Sequence, residues 1–368
     1  MNMKVLSLFF LLHIFLTDVA WSRPCSKIQN AKVVALDARP EGLLRNPAYL
    51  LAERVSTKFQ YVLIDRRRVR EVVQILRNQK FPLQIPGWDH PPYLQTESAE
   101  EMARYLLLFN SINYSFIDRS SGEHWGLGKV KGSALAAKSL VDNWFELSSL
   151  RRLPHLPDSY VQNTLLKGDI AIPLVQQRTD ALREVGHFLH RNAHAGVLGW
   201  MKSLGTNDAA EIAAKIPTTL ATWQDPFLKR AQLFVGMLAG WYQGREDSPF
   251  AADSVDHLTI FADYRVPQTF RAMGILRVRK EAKANLQSGI WLEPGSTLEI
   301  ELRAASILIG QMLVEEMNRV HDSPWGHVTP LHVDYMAWSI GRSLGKGEKI
   351  PDIIFYPARE HHTVTTQY

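Results

Sequence analysis

Cysteine is nearly missing from this 368-residue chain, where Cys25 stands alone. No intramolecular disulfide can form, and cysteine-rich zinc sites are excluded with it. A single cysteine in a chain this long also leans towards a reducing compartment. No apolar run reaches the roughly 20 residues that a membrane-spanning helix needs. Charge of one sign is not in large excess either: 42 Lys and Arg face 37 Asp and Glu, a formal +5. The basic residues are dispersed, which permits an anionic ligand without demanding nucleic acid. The common catalytic loops are missing too. There is no Walker loop, no Gly-x-Ser-x-Gly elbow, no His-Glu-x-x-His and no Gly-x-Gly-x-x-Gly after a strand. Those absences argue against nucleotide hydrolases, serine hydrolases, zinc proteases and dehydrogenases.

What remains is a globular composition, 46% hydrophobic and 21% charged. That is enough for a sizeable core and too apolar for disorder over most of the chain. The N-terminus pulls against the cysteine argument. Lys4 precedes the uncharged run Val5 to Leu16, and Ala20 and Ser22 follow. Basic start, short apolar middle and small residues make the pattern of a secretory signal, so residues 1–22 read as a signal-like segment outside the fold.

Helical periodicity covers 99–109, 133–147, 158–166, 174–191, 208–216, 227–242, 296–320 and 332–343. Pro226 suits a helix first turn, and Ser296-x-x-Glu299 suits a capping box. Strand signals are confined to 59–64 and 353–356. The expected fold is mainly α, a single compact multi-helix domain.

Two stretches carry chemistry. In Thr259-Ile260-Phe261-Ala262-Asp263-Tyr264-Arg265-Val266-Pro267-Gln268 an apolar lead-in delivers a carboxylate between two aromatics. Rings such as Phe261 and Tyr264 can stack on a flat heterocycle, and Asp263 can steady positive charge or orient a water. The plain alternative is that Asp263 caps the following helix or pairs with Arg265. In His332–Trp338 the residues Asp334 and Trp338 are spaced i and i+4, on one helical face. Together they can read a polar edge and stack a ring; the plain alternative is a surface acid beside a core tryptophan. His187, His190 and His194 fall at i, i+3 and i+7, a metal-capable spacing. A helix ending there favours histidine through its dipole and needs no metal. Asn113-Tyr114-Ser115 matches a glycosylation acceptor, but its aromatic surroundings suit packing inside.

The segment Phe261-Ala262-Asp263-Tyr264-Arg265-Val266-Pro267-Gln268 resembles the queuosine salvage protein family, the queuosine 5′-phosphate N-glycosylases. Phe109–Phe116, Ser133–Ala137, Ile172-Pro173-Leu174-Val175, Lys229-Arg230-Ala231-Gln232, Glu299–Arg303 and Val333–Trp338 support the resemblance in the right order. It covers roughly residues 45–357 and implies an all-helical fold with a cleft, similar to helix-hairpin-helix DNA glycosylases. The implied reaction cleaves the bond between queuine, a 7-deazaguanine base, and ribose 5-phosphate, so that queuine can re-enter tRNA. Asp263 would be the catalytic carboxylate, with Phe261, Asp334 and Trp338 lining the base pocket and Tyr264 beside them. Trp88-Asp89-His90 would supply a pocket histidine, His90. Asp334 could bind the ammonium of queuine. Lys229, Arg230 and Arg265 are the candidate phosphate cations. No metal or organic cofactor is implied, and the partner is a small molecule rather than nucleic acid or a membrane. One departure stands out: Ala337-Trp338-Ser339 replaces the family's Leu-Trp-Asp, removing one carboxylate from the base edge. The resemblance places the protein in the cytoplasm, against the signal-like start. The rival readings are a DNA-repair-type glycosylase, which would need a basic stripe and a wedge residue, and a non-catalytic helical binding module.

Overall fold

Two helices that are buried almost all round organise the chain, each at the centre of its own hydrophobic core. In the computed structural model, which describes residues 39–319, 323–347 and 350–368, twelve helices of eight residues or more are present. They are α1 (Pro47–Ser56), α2 (Arg66–Asn78), α3 (Ala99–Ile112), α4 (Gly132–Asp142), α5 (Val175–Arg191) and α6 (Gly196–Ser203). They continue as α7 (Ala209–Thr219), α8 (Lys229–Trp241), α9 (Arg265–Ala272), α10 (Lys280–Ser288), α11 (Thr297–Arg319) and α12 (Pro330–Gly345). The mainly α expectation holds. The signal-like segment 1–22 and Cys25 lie outside the described residues. Among those described, no helix is long and apolar enough to cross a membrane.

Helix starts follow local chemistry. Asn46 accepts from the Ala48 and Tyr49 N–H groups with Pro47 at the first helical position of α1. Ser98 accepts from Glu101 N ahead of α3, and Asp208 from Glu211 N ahead of α7. Such caps satisfy N–H groups that the helix itself leaves open. The capping box expected at Ser296 does not form. Among the described residues the Ser296 hydroxyl has no partner, and Glu299 instead accepts from Gly295 N at 3.1 Å.

Helix α8 sits in a core with α3 and α7, helix α11 in one with α1, α2 and α9. Helices apolar on every face are the ones a core can surround. The strands β1 (Val62–Ile64), β2 (Gly126–Leu127), β3 (Val130–Lys131) and β4 (Leu276–Val278) form two small antiparallel pairs, β1–β4 and β2–β3. The first has Leu63 opposite Arg277 and packs on α11. The buried Glu301 of α11 is occupied there, accepting from the N–H groups of Gln60, Tyr61 and Val62. No strand forms at 353–356; a single bond ties Tyr356 N to Ala272 O at 2.7 Å.

The segments around Phe261 and Leu331 meet at the seam between the two cores. Along 260–262, Ile260 and Ala262 face the α11 core while Phe261 faces the α8 core. Helix α12 divides likewise: Leu331 and Tyr335 to one side, Val333, Met336, Ala337 and Ile340 to the other. A 2.0-residue and a 3.6-residue period thus run side by side along one seam. Gly236 of α8 allows the close approach there, since a Cβ would stand 2.7 Å from both Phe261 Cζ and Leu331 Cδ2.

Candidate active site

A cavity of about 240 Å³ opens on this seam. Of the residues expected from sequence, Phe261, Asp263, Tyr264, Arg265, Lys229, Asp334 and Trp338 all line it. His90 does not, and this corrects the expectation. Its ring is exposed, with Nδ1 3.0 Å from the carbonyl of its own neighbour Pro91. The same loop turns at Trp88, which has φ 61°, and it is Trp88 with Tyr93 that reaches the cavity. Trp88 lies 5.3 Å from the Tyr335 ring and 4.8 Å from Tyr93, which meets Phe109 edge-on at 5.7 Å. These four make an aromatic wall. The sequence offered Trp-Asp-His, and nothing local tells which of the three turns inwards.

Asp263 does two things at once. Its Oδ1 accepts from Arg265 N at 2.8 Å and Val266 N at 3.1 Å, capping α9. The plain reading of Asp263 as a helix cap is therefore realised, and it is compatible with a place in the cavity. The cap fixes the carboxylate's direction and, among the described residues, leaves its second oxygen without a hydrogen-bond partner. Asp334 is buried on α12, with Oδ1 accepting from Phe261 N at 2.8 Å. Burial pushes its carboxyl up to about 8; the Phe261 N–H opposes this, Asp263 adds to it and Lys229 offsets it. Lys229, the first residue of α8, is also buried. Burial pulls its ammonium down, against the opposing pull of Asp263 and Asp334. Trp338 is half-buried with the Arg342 guanidinium 4.8 Å over its ring.

Of the three expected phosphate cations, two are already committed. Arg230 is buried and donates to the carbonyls of Asn110, Ser111 and Thr222. Arg265 forms an ion pair with Glu360 at 2.6 Å, both side chains mostly buried. A cationic corner that the sequence reading did not single out lies elsewhere on the lining. Lys131 precedes α4, whose start has no side-chain cap, and Gly132, Ser133 and Ala134 all line the cavity. Gly132 has φ 57°, a conformation that glycine takes without strain. His124 lines the same cavity, its ring held towards the neutral form by burial and by Arg265.

The 113–116 loop closes the cavity on another side. Arg178, fully buried, donates to the carbonyls of Ile112, Tyr114 and Ser115 and lies 4.2 Å over the Tyr114 ring. Asn113 is half-buried on the lining, so the acceptor-like triplet belongs to the cavity wall. Among the described residues, three polar atoms on the lining are buried without a hydrogen-bond partner: Trp88 Nε1, Tyr114 Oη and Tyr335 Oη. The histidines at 187, 190 and 194 are exposed and distant in role from this site. Among the described residues no group of three His, Cys, Asp or Glu is arranged to hold a metal ion.

An aromatic-walled cavity with one carboxylate directed by a helix cap and a second that favours its proton suits cleavage at a heterocycle-bearing carbon. Comparison with known proteins agrees. Residues 93–368 match the family model described as queuosine salvage protein. The chain is 28% identical over 315 residues to a queuosine 5′-phosphate N-glycosylase/hydrolase of Sphaerobacter thermophilus, covering 80% of this chain and 92% of that one. A protein of the same name from Dictyostelium discoideum is 27% identical over 298 residues, 77% and 84% of the two chains. The Bos taurus relative, also so named, is 24% identical over 328 residues, 80% and 94%. Since the family model spans well over half of the sequence, this chain belongs to the queuosine salvage protein family.

Proposed function

We propose that this protein hydrolyses the N-glycosidic bond of queuosine 5′-monophosphate, releasing queuine and ribose 5-phosphate. The observation that carries the reading is the convergence of Asp263, Asp334 and Phe261 on one aromatic-walled cavity, in a chain whose relatives bear that activity in their names. As the C–N bond lengthens, positive charge develops on the ribose. The Asp263 carboxylate stabilises it and directs water to C1′. Its direction is fixed by the Arg265 and Val266 N–H groups, so little reorganisation is needed during reaction.

Asp334 takes the other half of the chemistry. With Oδ1 held by Phe261 N and the carboxyl pushed up to about 8, it carries a proton near neutral pH. It donates that proton towards an acceptor on the base edge, which recognises the base and steadies the negative charge collecting there. This replaces the expected ion pair between Asp334 and the queuine ammonium. Trp88, Phe261 and Trp338 grip the ring system, and the unpartnered atoms of Trp88, Tyr114 and Tyr335 meet its polar rim. The 5′-phosphate sits at Lys131 and the start of α4, where open N–H groups and the helix dipole favour an anion. The reaction is cytoplasmic in this reading. Incubating purified protein with queuosine 5′-monophosphate and following queuine by chromatography tests it; no release at micromolar enzyme over hours would refute it.

A further inference from the structure

Arg303 of α11 has no exposed side-chain surface and does not line the cavity. Its three nitrogens are all in use. Nη2 donates to both oxygens of Asp225, at 2.8 and 2.7 Å. Nε donates to the Ala262 carbonyl at 3.0 Å, and Nη1 to Gln367 Oε1 at 3.1 Å. The guanidinium lies 4.8 Å from the Phe227 ring and 4.5 Å from the Tyr368 ring.

What those partners hold is the point. Ala262 immediately precedes Asp263. Asp225 accepts from Phe227 N at 3.1 Å and Lys229 N at 2.7 Å. It thereby braces the turn at Leu228, which has φ 54°, a left-handed conformation that a leucine adopts only when its surroundings impose it. That turn delivers Lys229 to the cavity. One guanidinium is therefore bonded to the backbone that presents Asp263 and to the carboxylate that presents Lys229.

We propose that Arg303 is a positioning residue: it sets the distance between Asp263 and Lys229 by clamping the Ala262 carbonyl and the Asp225 carboxylate in one rigid fork. A planar fork with five donors can do this, whereas a lysine ammonium has neither the reach nor the geometry to hold both partners. Tyr368 covers one face of the guanidinium and also lines the cavity, so the C-terminal segment completes the clamp. The kinetic part rests on the hydrolase reading above; the geometric part does not.

The test compares Arg303→Lys and Asp225→Asn with the native protein. Misplacement of a reacting group by about 1 Å costs on the order of 100-fold. The expected result is therefore a kcat on queuosine 5′-monophosphate lower by about 100-fold in R303K, with KM within about threefold. A residue that only supported the core would lower the melting temperature and leave kcat of the folded fraction unchanged. Crystal structures of native and variant proteins, without substrate, read the geometry regardless of turnover: the Asp263 carboxylate and the Lys229 ammonium should move relative to each other. Should R303K fail to fold, D225N, which preserves shape, carries both measurements. An unmoved Asp263–Lys229 pair, or a kcat within threefold of native in folded variant, overturns the proposal. If the native protein releases no queuine, the hydrolase reading fails, and the crystal comparison alone decides the role of Arg303.

Discussion

The backbone N–H of Phe261 donates to Asp334 Oδ1 across the seam at 2.8 Å, joining two cavity-lining segments although 73 residues separate them. That bond leaves one Asp334 oxygen for the cavity and holds the Phe261 segment at a fixed height beside it. The site is thus a relation between a loop and a helix. From sequence alone each segment has a plain reading, a helix cap for Asp263 and a surface acid beside a core tryptophan for Asp334; the structure keeps the cap and instead buries the acid and half-exposes the tryptophan.

Asp263→Asn should lower turnover about 100- to 1000-fold, the range for removing one directed electrostatic partner from a transition state. Its fold should survive. The amide oxygen can still accept from Arg265 and Val266 N–H, and Asn caps helices about as well as Asp. A melting temperature close to native with queuine release almost abolished is the expected pair of results. Turnover within a few-fold of native would reduce Asp263 to its capping role.

Asp334 predicts how activity and stability vary with pH. Its carboxyl is raised from 3.8 to about 8 in the folded protein, so the folded state holds the proton more tightly than the unfolded one. The stability it contributes is full below about pH 4 and is lost as pH rises through about 8. Asp334→Asn removes this dependence, so its melting temperature should gain on native between pH 5 and 9. On the kinetic side, native kcat/KM should fall above about pH 8 as the proton leaves, and the basic limb should flatten in the variant. Parallel pH–rate and pH–melting curves measure both.

Much of the cavity lining is legible in the sequence because several of its residues fall in short motifs. Phe261, Asp263, Asp334 and Trp338 could be singled out by spacing, since a carboxylate four residues from a tryptophan shares a helix face whatever the rest of the fold does. Helix α2 escapes the periodicity for the opposite reason. Its Arg66, Arg67, Arg68 and Arg70 hide the buried row Val69, Val72, Val73 and Leu76. Helix α8 starts at Lys229 rather than at Pro226, after a left-handed Leu228 beside Asp225, whose carboxylate accepts from Lys229 N and from Arg303 on a distant helix, contacts that no local pattern announces. Tyr368 was out of reach altogether. Its place on the lining depends on a segment whose Thr363 and Thr365 carbonyls are bonded to Ser115, about 250 residues away.

The Trp88 loop separates two assignments that the sequence could not. His90 is exposed, so His90→Ala should leave kcat/KM within about twofold, as surface substitutions usually do. Trp88→Leu should raise KM, with kcat less affected, because stacking is felt by substrate and transition state alike. A loss of about tenfold corresponds to roughly 1.4 kcal/mol, within the range of base–aromatic stacking. The reverse ranking of the two variants would return the histidine to the site.

The phosphate corner gives the sharpest separation between substrates. Lys131 is exposed at the rim and precedes a helix start without a side-chain cap, so replacing it should cost little stability. Lys131→Met removes the exposed ammonium there and leaves the backbone N–H groups of α4 in place. For queuosine 5′-monophosphate, kcat/KM should fall about tenfold, since a charge-assisted hydrogen bond contributes about 1.5–3 kcal/mol and part of that survives through the helix. For the unphosphorylated nucleoside it should not change, because nothing occupies the corner. The deficit on the monophosphate should also shrink as salt is added, with screening weakening the native interaction more than the variant's. Equal losses on both substrates would mean that Lys131 serves the base or the ribose, and the phosphate would then have to be sought at Arg265, freed from Glu360.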